Sequence, residues 1–467
     1  MNKFIKIFVI GLTSTILLQS CSSFLDTSPS TGVDGSTAVT NEENATAALI
    51  GVYDGLQNYY YYGRDFVVQG DVATDNVRLN PTNSNRFITE LTWAITKSTA
   101  NVAYFWNKSY ETINRANNII NANISGNEEI INSIKGEAYA LRALVHFDLV
   151  RMYAQSYDFT SDHKHLGVPY IFVFDPQGTP KRNTVTDVYQ YIIADLKKAQ
   201  ELGVGKFSRS MPPNTLTPEA VNAILAKVYL YMGDYDNAKL YAELVIPKYT
   251  LVSHDNYLKS WGEESTTESI FAIAHTTTDY PSTNALGYLY NENGYGDIIV
   301  NPNLYNLYSS NDVRKGWFVY GTKNANKEKL YPSGKYPGRG NIGLDNFNVL
   351  RLSELYLIAA EAAAKTKNEA EARVYLNAIR QRAIPDAPAI TASGQALINE
   401  ILLEKRKELA FEGNYLHDLK RLKLDVTSGL IDGKASTVIT YPNDLFAWPI
   451  PERETNANQN IEQNPGY

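Results

Sequence analysis

The nine residues Leu230-Tyr231-Met232-Gly233-Asp234-Tyr235-Asp236-Asn237-Ala238 decide the architecture, because their Gly-Asp pair stops one apolar helical run and starts another. Toward the amino terminus, Thr217 is a helix cap, Pro218 takes the first helical position, and residues 220–232 continue as one helix. Toward the carboxyl terminus, residues 237–246 return as a second helix that Pro247 ends. Gly233-Asp234-Tyr235 makes the turn between them, its small residues allowing the two helices to pack closely. Two helices joined this tightly pack side by side. One such pair cannot bury its apolar face alone, so several are expected to stack.

This turn resembles that of a tetratricopeptide repeat, and a weaker copy lies at residues 352–365 and 368–382. Thr40, with Glu43 three residues on, reads as a capping box for a helix carrying Ala45, Leu49, Val52, Tyr53 and Leu56. Helical spacing recurs over residues 105–120 and 130–153, and over 186–202, which is entered from Asn183-Thr184. The expected fold class is mostly α, built from several stacked helical hairpins. Two stretches, 59–101 and 248–349, lose the helical period and are dense in Tyr, Asn, Gly and Pro, with β-like segments such as 269–274. Insertions this long in a compact protein usually carry function, so both are expected to face ligand. Four consecutive tyrosines at 59–62 cannot share one buried helix face, so some are expected at the surface or between subunits.

The amino terminus addresses location. Lys3 and Lys6 precede an apolar run at 7–18 that is too short for a bilayer core of about 30 Å. Leu18-Gln19-Ser20-Cys21 resembles a lipobox, although Gln19 is less usual there than Ala or Ser. The expectation is a signal peptide at 1–20, lipidation at Cys21, a tether over 21–39 rich in Ser, Thr, Gly and Asp, and one domain over 40–467. Cys21 is the sole cysteine, so no intramolecular disulfide can form. Ser22 in place of Asp is compatible with outer-membrane delivery.

With 44% hydrophobic and 20% charged residues, the chain has the composition of a globular protein. Its formal charge of −7, without a basic patch, argues against a nucleic-acid partner. Tyrosine is abundant, 33 against 16 Phe and 5 Trp, and its apolar face with a hydroxyl suits surfaces that meet sugars. Enzyme signatures dissolve on inspection. Glu404, Glu408 and Glu412 share one helix face, a spacing that reads as a structural ion network with Arg406 and Arg421 rather than an acid/base pair. His163 and His165 lack further ligands, and Asp71, Asp75 and Asn76 are hard oxygen donors to which no metal is assigned. Residues 429–435 imitate a P-loop but are too short and end in Ala435. No cofactor or metal is expected.

Six segments together resemble the SusD/RagB lipoproteins, the surface nutrient-binding components of Bacteroidetes uptake systems. They are the lipobox with Phe24-Leu25-Asp26; Gly136-Glu137-Ala138-Tyr139-Ala140-Leu141-Arg142-Ala143 running into Phe147-Asp148-Leu149-Val150-Arg151-Met152-Tyr153; and Gly167-Val168-Pro169. The others are Arg351-Leu352-Ser353-Glu354-Leu355-Tyr356 through Ala362; Glu404 through Gly413 with Asp418-Leu419-Lys420-Arg421; and Trp448-Pro449-Ile450-Pro451, closing with Gln463-Asn464-Pro465-Gly466-Tyr467. Lys405 and Lys407 flank Arg406 where acidic or apolar neighbours are commoner, and the chain is on the short side for the family.

The resemblance implies four tetratricopeptide-like hairpins with an irregular half laid against them. It implies a SusC-like, TonB-dependent outer-membrane barrel as partner, with the lipoprotein as its lid, and oligosaccharides, or in some members peptides, as ligands. It implies binding rather than catalysis; the competing reading from carboxylates alone is a secreted glycoside hydrolase. By family position and chemistry, Asp75, Asn76, Arg78 and Asn80 are the expected hydrogen-bonding groups, with Tyr61, Tyr288, Tyr290, Tyr295 and Trp317 as aromatic platforms.

Overall fold

The computed structural model describes residues 39–206, 213–429 and 436–467. The lipobox, Cys21, the tether up to residue 38 and most of the P-loop imitation therefore lie outside the described residues. The deciding hairpin forms as its residues dictate. Helix α6 (Pro218–Met232) is capped by the Thr217 hydroxyl, which accepts from the Ala220 N–H at 3.1 Å. Gly233 follows at φ 75°, and Asp234 caps α7 (Tyr235–Val245) by accepting from the Asn237 N–H.

Three more pairs share this arrangement among the described residues: α1 (Glu42–Gln57) with α3 (Ala100–Asn121), α4 (Glu128–Tyr153) with α5 (Val185–Glu201), and α9 (Leu352–Lys365) with α10 (Glu369–Ala383). The short α2 (Asp65–Val72) precedes α3, and α8 (Leu286–Tyr290) lies in the second irregular stretch. Helix α11 (Gly394–Glu408) packs on α9 and α10. One expected cap is corrected. Asn41, not Thr40, caps α1, because its side-chain oxygen reaches the Asn44 N–H at 2.9 Å. Thr184 forms the capping box of α5 with Asp187.

Polar residues of the family-like segments peg these helices together. Arg142 on α4 grips Asp195 on α5 through two hydrogen bonds of 2.7 and 2.8 Å, and Glu137 accepts from the Tyr53 hydroxyl on α1 at 2.6 Å. The carboxyl-terminal motifs close the end of α4: Trp448 N–H donates to Met152 O, and Asn464 Nδ2 donates to Tyr153 O at 2.8 Å. These carbonyls would otherwise be orphaned at the helix terminus. Gly413, at φ 75°, lets the backbone of α2 approach so closely that a Cβ at Gly70 would stand 2.0 Å from the Gly413 oxygen.

The irregular stretches carry more order than their sequence announces. Strand β1 (Val77–Leu79) pairs antiparallel with β3 (Ile298–Val300), in register Val77 to Val300, which ties the first stretch to the second. Strand β2 (Ser269–Ile273) pairs antiparallel with β4 (Phe347–Arg351), on the line into α9. One cluster of buried apolar side chains, from Val39 to Ile461, runs beneath helices and irregular segments alike.

Candidate ligand-binding site

The tyrosine run after α1 divides into two inward and two outward rings. Tyr61 and Tyr62 are buried and stacked 4.4 Å apart, and both hydroxyls donate to Asp148 Oδ2 at 2.5 Å. Burial, with the Asp148 carboxylate beside them, raises both phenols well above their ordinary range, so they stay protonated donors. Tyr59 and Tyr60 remain half-buried with ring centroids 4.1 Å apart, and Tyr60 lies 4.4 Å from Tyr104 of α3, which is 42% exposed. The three rings form an open ladder.

The ladder leads to the seam between the irregular stretches. The Arg64 guanidinium lies 4.9 Å from the Tyr59 ring and 5.9 Å from Phe87, while donating to Asp65 at 2.6 Å and to Asn284 Oδ1 at 3.1 Å. Burial pushes the Asp65 carboxyl up to about 6 against the pull of Arg64. Next to Phe87, Arg86 stacks on Tyr295 at 4.1 Å, and Tyr295 meets Tyr288 edge-on at 5.3 Å. Ser84 holds this corner by donating from both its N–H and its hydroxyl to Asp297. The second stretch reaches the first here, where Leu286 N–H donates to Gly63 O. Two sets of contacts, Tyr104–Tyr60–Tyr59–Arg64–Phe87 and Arg86–Tyr295–Tyr288, thus meet at the seam that the β1–β3 pairing locks, joined beneath the surface where buried Arg64 reaches buried Phe87.

Tyr288 and Tyr295 stand where a ligand can reach them, half-buried and 39% exposed respectively. The other expected platforms are corrected. Trp317 is fully buried among Tyr257, Trp261 and Tyr308, with Lys335 Nζ 4.0 Å above its ring. Tyr290 is equally buried against Tyr336 and Phe411, and Tyr61 is used up by Asp148. None of the three offers a free face.

The hydrogen-bonding candidates divide too. Asn80 is buried, donating to Gly296 O and the Tyr331 hydroxyl while accepting from Lys329 Nζ at 2.7 Å. Asn76 is buried between Asp71 and Arg406, and Asp75 pairs with Arg406 at 2.8 Å. Asp71 accepts from Asn76 and from the Gly413 N–H, so protein donors occupy both its oxygens. Arg78 is half-buried on β1 opposite Ile299. Tyr59, Tyr60, Tyr104, Arg64 and Arg86 escaped the sequence reading. The four-tyrosine run did signal that some rings had to face outward.

The carboxylates are structural, but not with the partners expected. Glu408 is buried, bonded to Arg351 at 2.7 Å, Arg382 at 2.6 Å, Arg314 at 3.0 Å and the Tyr257 hydroxyl at 2.8 Å. Burial alone would raise its pKa, but Arg382, Arg351 and Arg314 outweigh that and hold it well below the usual carboxylate range. Glu412 is likewise lowered, by Arg351 and Lys335 against its burial. Arg406 instead serves Asp75, and Arg421 takes Glu361 and Asp418. Among the described residues, no three His, Cys, Asp or Glu side chains converge as a metal site; His163 and His165 bond to neighbouring loop groups.

Comparison with known proteins follows this geometry. Residues 316–467 match the model of the SusD family, and residues 23–230 match a model described as starch-binding associating with outer membrane. A Bacteroides vulgatus ATCC 8482 structure is 32% identical, covers 92% of this chain and 100% of its own, and superposes with a TM-score of 0.83. A SusD superfamily structure from Bacteroides thetaiotaomicron VPI-5482 is 29% identical over 91% of this chain and 100% of its own, with a TM-score of 0.82. SusD-like protein P2 of Formosa agariphila is 27% identical, covering 90% of this chain and 92% of that protein.

Proposed function

The chain belongs to the SusD family, and from that premise we propose that it captures oligosaccharides at the cell surface without cleaving them. The observation that carries this reading is the run of tyrosines and arginines along the seam of the irregular stretches, half-buried through Tyr59, Tyr60, Arg86 and Tyr288 and exposed at Tyr104 and Tyr295. Sugar rings present apolar C–H faces and a rim of hydroxyls. Tyr104, Tyr60, Tyr59 and Tyr295 supply flat faces, and the partly exposed Arg86 guanidinium and the phenols supply hydrogen bonds. The deep carboxylates do not compete for a catalytic role, because each is neutralised by arginine or lysine inside the fold.

The capture reading extends to location and partner. Acylation at Cys21 would hold the protein on the outer membrane, and a SusC-like TonB-dependent barrel would receive the glycan. The outer-membrane description of the matched family model supports the association with that membrane, and the lipobox-like Leu18-Gln19-Ser20-Cys21 supports the lipid anchor. The test is calorimetric titration of the purified mature chain with starch- and laminarin-derived oligosaccharides, with short peptides as competitors, alongside assay for new reducing ends. Saturable glycan binding without release of reducing ends is expected. Preferential peptide binding, or sustained release, would overturn the proposal.

A further inference from the structure

Among the described residues, Phe172, Val173 and Phe174 are the one run of three consecutive large apolar side chains left in water, 42%, 60% and 52% exposed. They form one limb of a loop with a stiff base, whose turn is closed by the Gly178 N–H donating to Asp175 O. Asn117 Nδ2 donates to Ile171 O and Asn121 Nδ2 to Phe172 O, while Asn458 and Asn460 Nδ2 hold Pro180 O and Thr179 O. Phe172 meets Tyr191 edge-on at 5.1 Å, with the Arg142 guanidinium 5.2 Å from its ring. Beyond it, Val173 and Phe174 wall an open cleft of about 730 Å³ over Trp106 and Tyr110. A well-held loop with consecutive apolar side chains on one limb leaves surface that a soluble partner or an apolar phase would ordinarily cover.

The chain's point of entry lies at the same end of the molecule. Asn41 bridges to Ser125, whose N–H donates to Thr40 O at 2.9 Å, and Ser125 follows closely on Asn121, the last residue of α3. Asn121 is the residue that holds Phe172. Val39 lies eighteen residues after Cys21, a length of chain that reaches at most about 60–65 Å. An acylated Cys21 would therefore keep this end of the fold within reach of the bilayer surface. We propose that Phe172, Val173 and Phe174 dip into the lipid surface to which the chain is tethered. They fix how the protein stands on the membrane, where a tether alone would leave it free to rotate. The three residues carry no charge, and the polar turn beside them, with Asp175 and Gln177, would meet the headgroups. This inference rests on the lipid-anchor reading of Cys21 and goes beyond it.

The test exploits the single cysteine. In the mature chain carrying Cys21→Ser, Val173→Cys takes an environment-sensitive dye, and Val374→Cys on α10, at a site 67% exposed, is the control. Each protein is held by an amino-terminal histidine tag on phosphatidylcholine vesicles containing nickel-chelating lipid. Emission from position 173 is expected to shift to the blue and to be quenched by a lipid-borne quencher, while position 374 stays water-like. Water-like emission at both positions would overturn the proposal. So would a blue shift without vesicles that grows with protein concentration, since a second copy would then be covering the loop. The artificial tether makes the result independent of whether Cys21 is acylated, which metabolic labelling with palmitate reports separately.

Discussion

Replacing Glu408 with Gln keeps its volume and removes one charge from a buried network. Among the described residues, Arg314, Lys335, Arg351, Arg382 and Lys407 interlock with Glu268, Asp312, Glu404, Glu408 and Glu412, five cations against five carboxylates. The wild-type cluster is neutral, and the variant carries one uncompensated positive charge. The new amide would also aim a donor at Arg314, which now lies 3.0 Å from a carboxylate oxygen. Breaking one member of a buried ion network costs about 3–5 kcal/mol, a large share of a typical folding free energy. Urea unfolding at neutral pH should show a lower midpoint at unchanged slope.

The pH dependence follows from the sign of the shift. The folded Glu408 carboxyl is lowered, so its contribution is complete above the unfolded pKa of about 4.3 and is lost as pH falls through the folded value. Wild type and Glu408→Gln should therefore converge in stability in strong acid. Glycan affinity of the folded variant should match wild type. A variant as stable as wild type would refute the scaffold role. Reducing-end release by wild type that a folded Glu408→Gln protein lacks would establish catalysis in its place.

Tyr295→Ala removes a ring of roughly 200 Å² whose exposed two-fifths leaves about 80 Å² to be covered, worth about 2 kcal/mol or some thirty-fold in Kd by calorimetry. Trp317→Ala should destabilise the fold by about 3–5 kcal/mol in denaturant titrations while leaving the affinity of folded protein unchanged, because the indole is packed inside. Asp65 titrates near 6 in the folded state, above its unfolded value, so its contribution is present at low pH and lost as pH rises through 6. Asp65→Asn should accordingly gain stability relative to wild type as pH rises from about 4 to about 6 and keep that gain above it, as read by thermal unfolding across that range.

Local chemistry made the helical half legible. Thr217, Pro218 and Gly233 act on neighbours within a few residues, so sequence alone placed the hairpin they build. The Thr40 cap missed by one residue because Asn41 is an equally good acceptor closer to the helix. Long-range partners were not legible. The spacing of Glu404, Glu408 and Glu412 announced a network, but the arginines that complete it arrive from Arg314, Arg351 and Arg382 rather than from nearby Arg406 and Arg421. Trp317 looked like a platform because nothing near it in sequence reveals that Tyr257 and Trp261 close over it. Tyr60 and Tyr104, 44 residues apart, meet only once α3 has packed against the turn after α1.

The ladder of solvent-reaching rings is tested most directly by titrating starch- and laminarin-derived oligosaccharides into wild type and a Tyr60→Ala/Tyr104→Ala protein of matched thermal stability. Wild type should bind saturably, and the double variant should lose most of that affinity while its unfolding profile stays intact. Undiminished binding by the double variant would place the glycan elsewhere on the molecule and contradict the account.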